Sequence, residues 1–217
     1  MQNVSNPTEP ASDCDRCSRL DEFRKANKAA APGWHNAPVP SFGPEKARLL
    51  IVGLAPGLKG ANRTGRPFTG DFAGDLLYAT LAKYQFSKGI YQADVADGLA
   101  LAGCRITNAV RCVPPQNKPV PAEIKACNRF LAATVQRMEG LVAMVALGRI
   151  AHDAVLSALE LRKSEFRFAH GATHAVGGGR LLFDSYHCSR YNTNTGVLTE
   201  AMLHQVFAQV RAYIDAT

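Results

Sequence analysis

The chain has 217 residues, with 25 Lys and Arg against 18 Asp and Glu and a formal charge of +7 at neutral pH. That length suffices for one well-buried domain over residues 1–217 rather than two. No apolar run approaches the roughly 18 residues that a membrane-spanning helix needs, so no membrane partner is expected. The polar N-terminus "MQNVSNPTEPASDCDRC" lacks the apolar core of a signal peptide. A cytoplasmic location follows, with the nucleoid in a prokaryote, and cysteines there are more often metal ligands or free thiols than disulfides. The basic excess favours a polyanion such as nucleic acid, although many basic proteins never touch one. The charge is dispersed, with Arg63, Arg66, Arg111, Lys118 and Arg190 close to the loops discussed below.

Residues 1–20 read as a loose arm carrying Cys14 and Cys17, followed by a short helix over 19–29 and Pro-rich coil. "ARLLIVGL" (47–54) is continuously apolar, the pattern of a strand buried on both faces. A helix is predicted over 74–86, where Leu76, Leu77 and Leu81 share one side. "CRITNAVRC" (104–112) is a second strand, and Pro121 starts a helix over 121–138, a favoured position for proline. A third buried strand (141–148), a helix (149–159), strands around a Gly-rich turn (166–187) and a closing amphipathic helix (198–214) complete the chain. Strands alternating with helices predict an α/β fold, a three-layer α/β/α sandwich with a central, mostly parallel sheet. Ligands of such sheets bind beyond the carboxyl ends of the strands. The loops at 53–71, 108–119 and 187–196 fall there.

Two of these loops carry chemistry-bearing residues. In "GLAPG", Gly53 and Gly57 permit close backbone approach to a ligand and Pro56 stiffens the turn, though an ordinary Gly-Pro turn has the same look. No Gly-Lys-Ser/Thr ending supports a phosphate cradle. In "HCSRYNTNTG", His187 directly follows an apolar strand, where an imidazole can donate a hydrogen bond near neutral pH. Ser189, Asn192, Thr193, Asn194 and Thr195 are short polar groups suited to phosphates or bases. The plain alternative is a polar loop that caps the last helix through Thr195 or Thr199. His35, His152, His170, His174 and His204 have no comparable setting and read as structural or solvent-facing. Cys14 and Cys17 form a C-x₂-C pair, a spacing that lets two thiolates reach one metal.

Taken together, "GLAPG…NRTGRPFTGD…GDLLY", "ITNAVRCVPPQNKP" and "HCSRYNTNTG" resemble the motifs of the uracil-DNA glycosylase superfamily, and most nearly its iron–sulfur branch called family 5, or type B. The related family 4 typically has an acidic residue after the first motif glycine, where this chain has Leu54. The resemblance implies an enzyme that flips a deaminated base out of double-stranded DNA and hydrolyses its N-glycosidic bond. Uracil is the first expected substrate, with hypoxanthine or xanthine as further ones. His187 then matches the donor to the departing base, Phe68 the ring that stacks on it, and Asn108 the residue that recognises its edge. Gly53, Ala55, Pro56 and Gly57 match motif 1, and Ser189, Arg190 and Asn192 the last motif.

Other branches carry Asp or Asn where this chain has Ala55, and a methyl group cannot orient water. Asn62, Asp71 and Asp75 are the candidates left in that stretch, although helix capping is an equally good use for the acids. No Lys falls at a motif position that would give a Schiff base, so a monofunctional, monomeric enzyme is expected. Arg190 and Tyr191 are placed to wedge into the base stack or clamp phosphates. By resemblance Cys112 and Cys127 complete a four-cysteine set with Cys14 and Cys17. Four thiolates suit tetrahedral zinc or a [4Fe-4S] cluster, and the family favours the cluster. Cys104 and Cys188 are left as free thiols, and Cys127 equally suits a buried unligated one. The rival readings are a non-catalytic DNA-binding module on the same fold and an iron–sulfur redox protein.

Overall fold

A computed structural model describes residues 7–217; residues 1–6 of the arm lie outside the described residues. Five strands form the main sheet: β1 (Leu49–Gly53), β4 (Cys104–Asn108), β5 (Ala143–Leu147), β6 (Thr173–Ala175) and β7 (Leu181–Ser185). Their order is β4-β1-β5-β7-β6, parallel throughout except for the antiparallel edge strand β6. The pleat divides each central strand between two layers. Leu49, Ile51, Ala143 and Val145 face one way, against α3 (Phe72–Lys83) and α7 (Glu200–Ala216) through Leu77, Leu81, Val206 and Phe207. Leu50, Val52, Met144 and Ala146 face the other, against α4 (Pro121–Arg137) and α5 (Arg149–Ala158) through Leu131, Val135, Val155 and Leu156. Burial on both faces is the reason these strands are apolar without alternation. The expected sandwich with a mostly parallel sheet is the architecture observed.

Local chemistry sets the helix starts. Pro121 occupies the first turn of α4, and Glu123 turns back to accept the Val120 N–H at 2.8 Å. Asp71 caps α3 by accepting from the Gly74 amide at 3.3 Å. Thr199, one of the two cap residues considered, accepts from Met202 at the start of α7.

Four sequence expectations need correction. The long loop after β1 contains a one-turn helix, α2 (Ala61–Thr64), and the polar loop after His187 contains another, α6 (Arg190–Asn194), capped by Ser189. The second strand stops at Asn108, because residues 109–112 leave the sheet while staying buried. Beyond α3 the chain forms a small hairpin, β2 (Ser87–Lys88) with β3 (Ala100–Leu101), where the sequence predicts no strands. The described part of the N-terminal arm is tied down rather than loose. It runs into α1 (Ser18–Ala30), and Arg24 donates to Ser12 O and Cys14 O at 2.8 and 2.6 Å. Glu9 also pairs with the buried Arg111 at 2.7 Å.

A candidate active site at the strand carboxyl ends

β1 and β4 lie side by side with Gly53 opposite Asn108, so both strands end at the same level. Beyond them is a cavity of about 810 Å³ whose walls include Ala55, Pro56, Gly57, Phe68, Asp71, Asn108, His187, Ser189 and Arg190. Gly53, a predicted ligand-contacting residue, does not line the cavity itself; it is buried at the end of β1, where it makes room by lacking a side chain. A methyl group there would stand 2.4 Å from Asn108 Oδ1 and 2.5 Å from Phe68 Cζ. The glycine is thus what allows the amide and the aromatic ring to close over the strand end.

His187 follows β7 and lines the same space, with its ring 6.0 Å from that of Phe68 and inclined by 27°. Among the described residues neither of its ring nitrogens has a hydrogen-bond partner, and burial pushes its pKa down to about 4. The imidazole is therefore neutral at physiological pH and has one N–H to donate. Asn108 is buried with its Oδ1 unpartnered. An unpartnered amide oxygen in a cavity wall costs free energy unless a ligand satisfies it.

The structure separates the three candidates for handling water. Asn62, on α2, is fully buried and donates to Asn36 Oδ1 at 2.9 Å, and it does not line the cavity. Asp75 is exposed in the first turn of α3 and also lies outside it. Asp71 lines the cavity while capping α3. Its Oδ2 lies over Gly60, where a side-chain carbon would meet it at 2.3 Å. Burial raises the Asp71 pKa, against the lowering effect of the Gly74 and Ala73 amides. Asn192 stands one layer back, and its amide donates to His187 O at 2.8 Å. The cavity wall also holds Lys59, Gln116, Asn117 and Lys118, which the motif reading passed over apart from noting the nearness of Lys118. The left-handed backbone of Gln116 and Asn117, each at φ 57°, turns that loop toward the opening. Tyr191, at the rim, is 74% exposed, which is unusual for a tyrosine with no surface partner.

A second constellation lies behind α4. Cys14, Cys17, Cys112 and Cys127 surround one small enclosed space with Leu20, Val110 and Phe130. The Arg111 amide donates to Cys127 Sγ at 3.3 Å. Burial pushes Cys112 up to about 12 and Cys127 up to about 11, and raises Cys17 as well. Thiols so placed become thiolates only beside a bound cation. Four thiols around one space have the donors for a thiolate-held metal centre.

The histidine–aspartate group is satisfied internally. Asp184 pairs with His152 Nδ1 at 2.8 Å and His174 Nε2 at 3.0 Å, and His152 Nε2 reaches Phe166 O at 3.0 Å. It ties α5 to the β6–β7 edge, the structural role expected of these histidines. No helix among the described residues is long and apolar enough to cross a membrane.

Residues 40–211 match the model of the uracil DNA glycosylase superfamily. The chain is 45% identical over 204 residues to a type-5 uracil-DNA glycosylase of Thermus thermophilus, covering 91% of this chain and 92% of that one. It is 42% identical over 208 residues to a type-5 uracil-DNA glycosylase of Mycobacterium leprae, covering 91% and 90%. Against a type-4 uracil-DNA glycosylase of Archaeoglobus fulgidus it is 33% identical over 139 residues, covering 64% and 62%. With the cavity, its ring, amide and imidazole already in place at the strand ends, the chain belongs to the uracil-DNA glycosylase superfamily.

Proposed function

We propose that this chain, acting as a monomer of one domain in the cytoplasm, removes uracil from double-stranded DNA by hydrolysing its N-glycosidic bond and leaves an abasic site. The observation that carries the reading is the convergence of His187, Phe68 and Asn108 on one cavity. As the bond breaks, positive charge builds on the sugar and negative charge on the base oxygens. The neutral His187 N–H meets that anionic oxygen, and losing one such preorganised donor costs about 3–4 kcal/mol of barrier. Phe68 stacks on the flipped base, a contact worth about 1–3 kcal/mol. Asn108 offers a donor and an acceptor to the base edge, and its unpartnered Oδ1 suits the ring N–H of uracil.

Asp71 is the group that handles water in place of the missing motif 1 side chain. Of the three candidates it alone lines the cavity. It accepts the proton of the attacking water while the base departs with the bonding electrons. Swinging the nucleotide out costs a few kcal/mol and is easiest at a mispair. Tyr191 and Arg190 at the rim suit the gap left in the duplex, and Lys59 and Lys118 suit the flanking phosphates. Asn192 and Ser189 hold the His187 segment, the first through His187 O and the second as the cap of α6. Cys14, Cys17, Cys112 and Cys127 would hold a [4Fe-4S] cluster, whose contribution is to cross-link the arm to α4 rather than to take part in excision. Hypoxanthine and xanthine extend the substrate range.

The test is cleavage of a uracil-containing duplex followed by alkali, which breaks the strand at abasic sites. The wild-type chain cuts, and His187→Ala loses most of the cutting while keeping its affinity for the duplex. Undiminished cutting by His187→Ala would remove the imidazole from the mechanism, and a deaminated-base panel reads the substrate range in the same assay.

A further inference from the structure

Phe68 does not hold its place by side-chain packing alone. Its backbone is left-handed, at φ 52°, a conformation unusual for a bulky residue and one that costs free energy unless the surroundings enforce it. Three consecutive carbonyls around it each accept from a hydroxyl. Tyr78 donates to Pro67 O at 2.7 Å, Tyr91 to Phe68 O at 3.2 Å, and Thr64 to Thr69 O at 3.1 Å. The Tyr91 oxygen also accepts the Gly70 N–H at 3.2 Å, so one hydroxyl bridges both sides of the strained turn. Gly74, in the first turn of α3, leaves room for this arrangement: a side-chain carbon there would stand 1.9 Å from Phe68 O.

Tyr91 is itself fixed from below. Its ring stacks on Tyr78 at 4.5 Å, and the Arg66 guanidinium lies 5.7 Å from its centroid. Arg66 forms a two-pronged ion pair with Asp97, at 2.8 and 2.7 Å, both side chains being buried. A buried pair of this kind adds little net stability over apolar packing, but it fixes direction.

We propose that Tyr91, seated on the Arg66–Asp97 pair, is a positioning residue for excision: its hydroxyl holds the Phe68 turn in the left-handed conformation and thereby sets the plane on which the flipped base stacks. The inference rests on the reading of Phe68 as the stacking ring. Tyr91 lies outside the cavity wall and acts through Phe68.

A double-mutant cycle tests it by single-turnover excision of uracil from a duplex, with affinity for an abasic-site duplex and thermal melting measured alongside. Tyr91→Phe removes only the hydroxyl. The expected loss in the excision rate constant is roughly tenfold, the scale of two unmade hydrogen bonds to backbone groups, with abasic-site affinity little changed and melting lowered by no more than a few degrees. In a Phe68→Ala background, where no ring is left to orient, the same substitution is expected to cost less than about twofold, since coupled residues depart from additivity. Asp97→Asn, which loosens the support beneath Tyr91, should show the same masking by Phe68→Ala. A full-rate Tyr91→Phe, or one that loses the same factor with and without the Phe68 ring, overturns the proposal while leaving the function intact. A full-rate Phe68→Ala would instead overturn the stacking reading itself, and the proposal with it.

Discussion

In the proposed reaction Asp71 and His187 divide the acid–base work by environment. Burial depresses the His187 pKa from 6.5 to about 4, whereas burial raises that of Asp71 above the ordinary carboxylate value. The histidine is thus kept neutral, as a donor that need not lose a proton, while the aspartate is kept more basic than usual. For an acid whose folded pKa is raised, the ionised form destabilises the fold, so the Asp71 carboxylate costs stability above its folded pKa and the cost disappears on protonation. Retaining it in a cavity wall makes sense if the charge is used. Asp71→Asn separates the chemistry from the cap, because asparagine caps a helix about as well as aspartate. The expected variant melts at or slightly above the wild type and loses on the order of 10²-fold in single-turnover excision, the lower end of general-base effects. Its pH profile should change as well. The wild-type rate falls as pH drops through the raised pKa of Asp71. The residual rate of Asp71→Asn should stay flat until His187 takes up a proton near pH 4. A variant that retains the wild-type acid limb would assign that limb to another group.

The site depends on where secondary elements stop, and at this scale Gly53 is decisive. It ends β1 with Asn108 Oδ1 and the Phe68 ring both within 2.5 Å of where a side-chain carbon would be. Gly53→Ala should therefore cost about 1–3 kcal/mol as an overpacking change. Its excision should fall further than its melting, since the methyl displaces two residues that face the base. Equal losses in both measurements would mean that the site had simply unfolded. The same scale explains what was legible in the sequence. Runs such as 49–53 and 143–147 are buried on two faces, and α4 and α7 are long enough to show their periodicity, so the central sheet and its layers could be read directly. One-turn helices such as α2 and α6 leave no periodicity, and the apolar run after Asn108 is buried coil, indistinguishable from strand by composition. Motif matching singled out His187, Phe68 and Asn108, which share one cavity, but Asn62, Asp71 and Asp75 lie close together in the sequence, on or beside α2 and the start of α3. Only the direction of each side chain, which α2 and the start of α3 determine, separates them.

Across the whole molecule, the four-cysteine centre lies behind the site rather than in it. It joins the N-terminal arm, α1, the 109–112 segment and α4. That segment begins next to Asn108, and Arg111 within it is buried against Glu9 of the arm. Arg19 at the start of α1 adds an ion pair to Glu123 of α4 at 2.7 Å, with Arg19 partly exposed and the pair of small effect by itself. On the proposed cluster, removing one of its cysteine ligands loosens the arm and α4 together, while the cavity residues remain on β1, β4 and β7. Cys17→Ser is expected to lower the melting temperature clearly and to reduce the folded fraction at working temperature. Excision per folded molecule should stay within a few-fold of the wild type. Iron and acid-labile sulfide near four of each per chain are expected for the proposed cluster, and one zinc per chain would contradict it. A Cys17→Ser chain with wild-type melting and no excision would place the cysteine centre in the reaction itself, since a purely cross-linking role allows loss of activity only through loss of the fold.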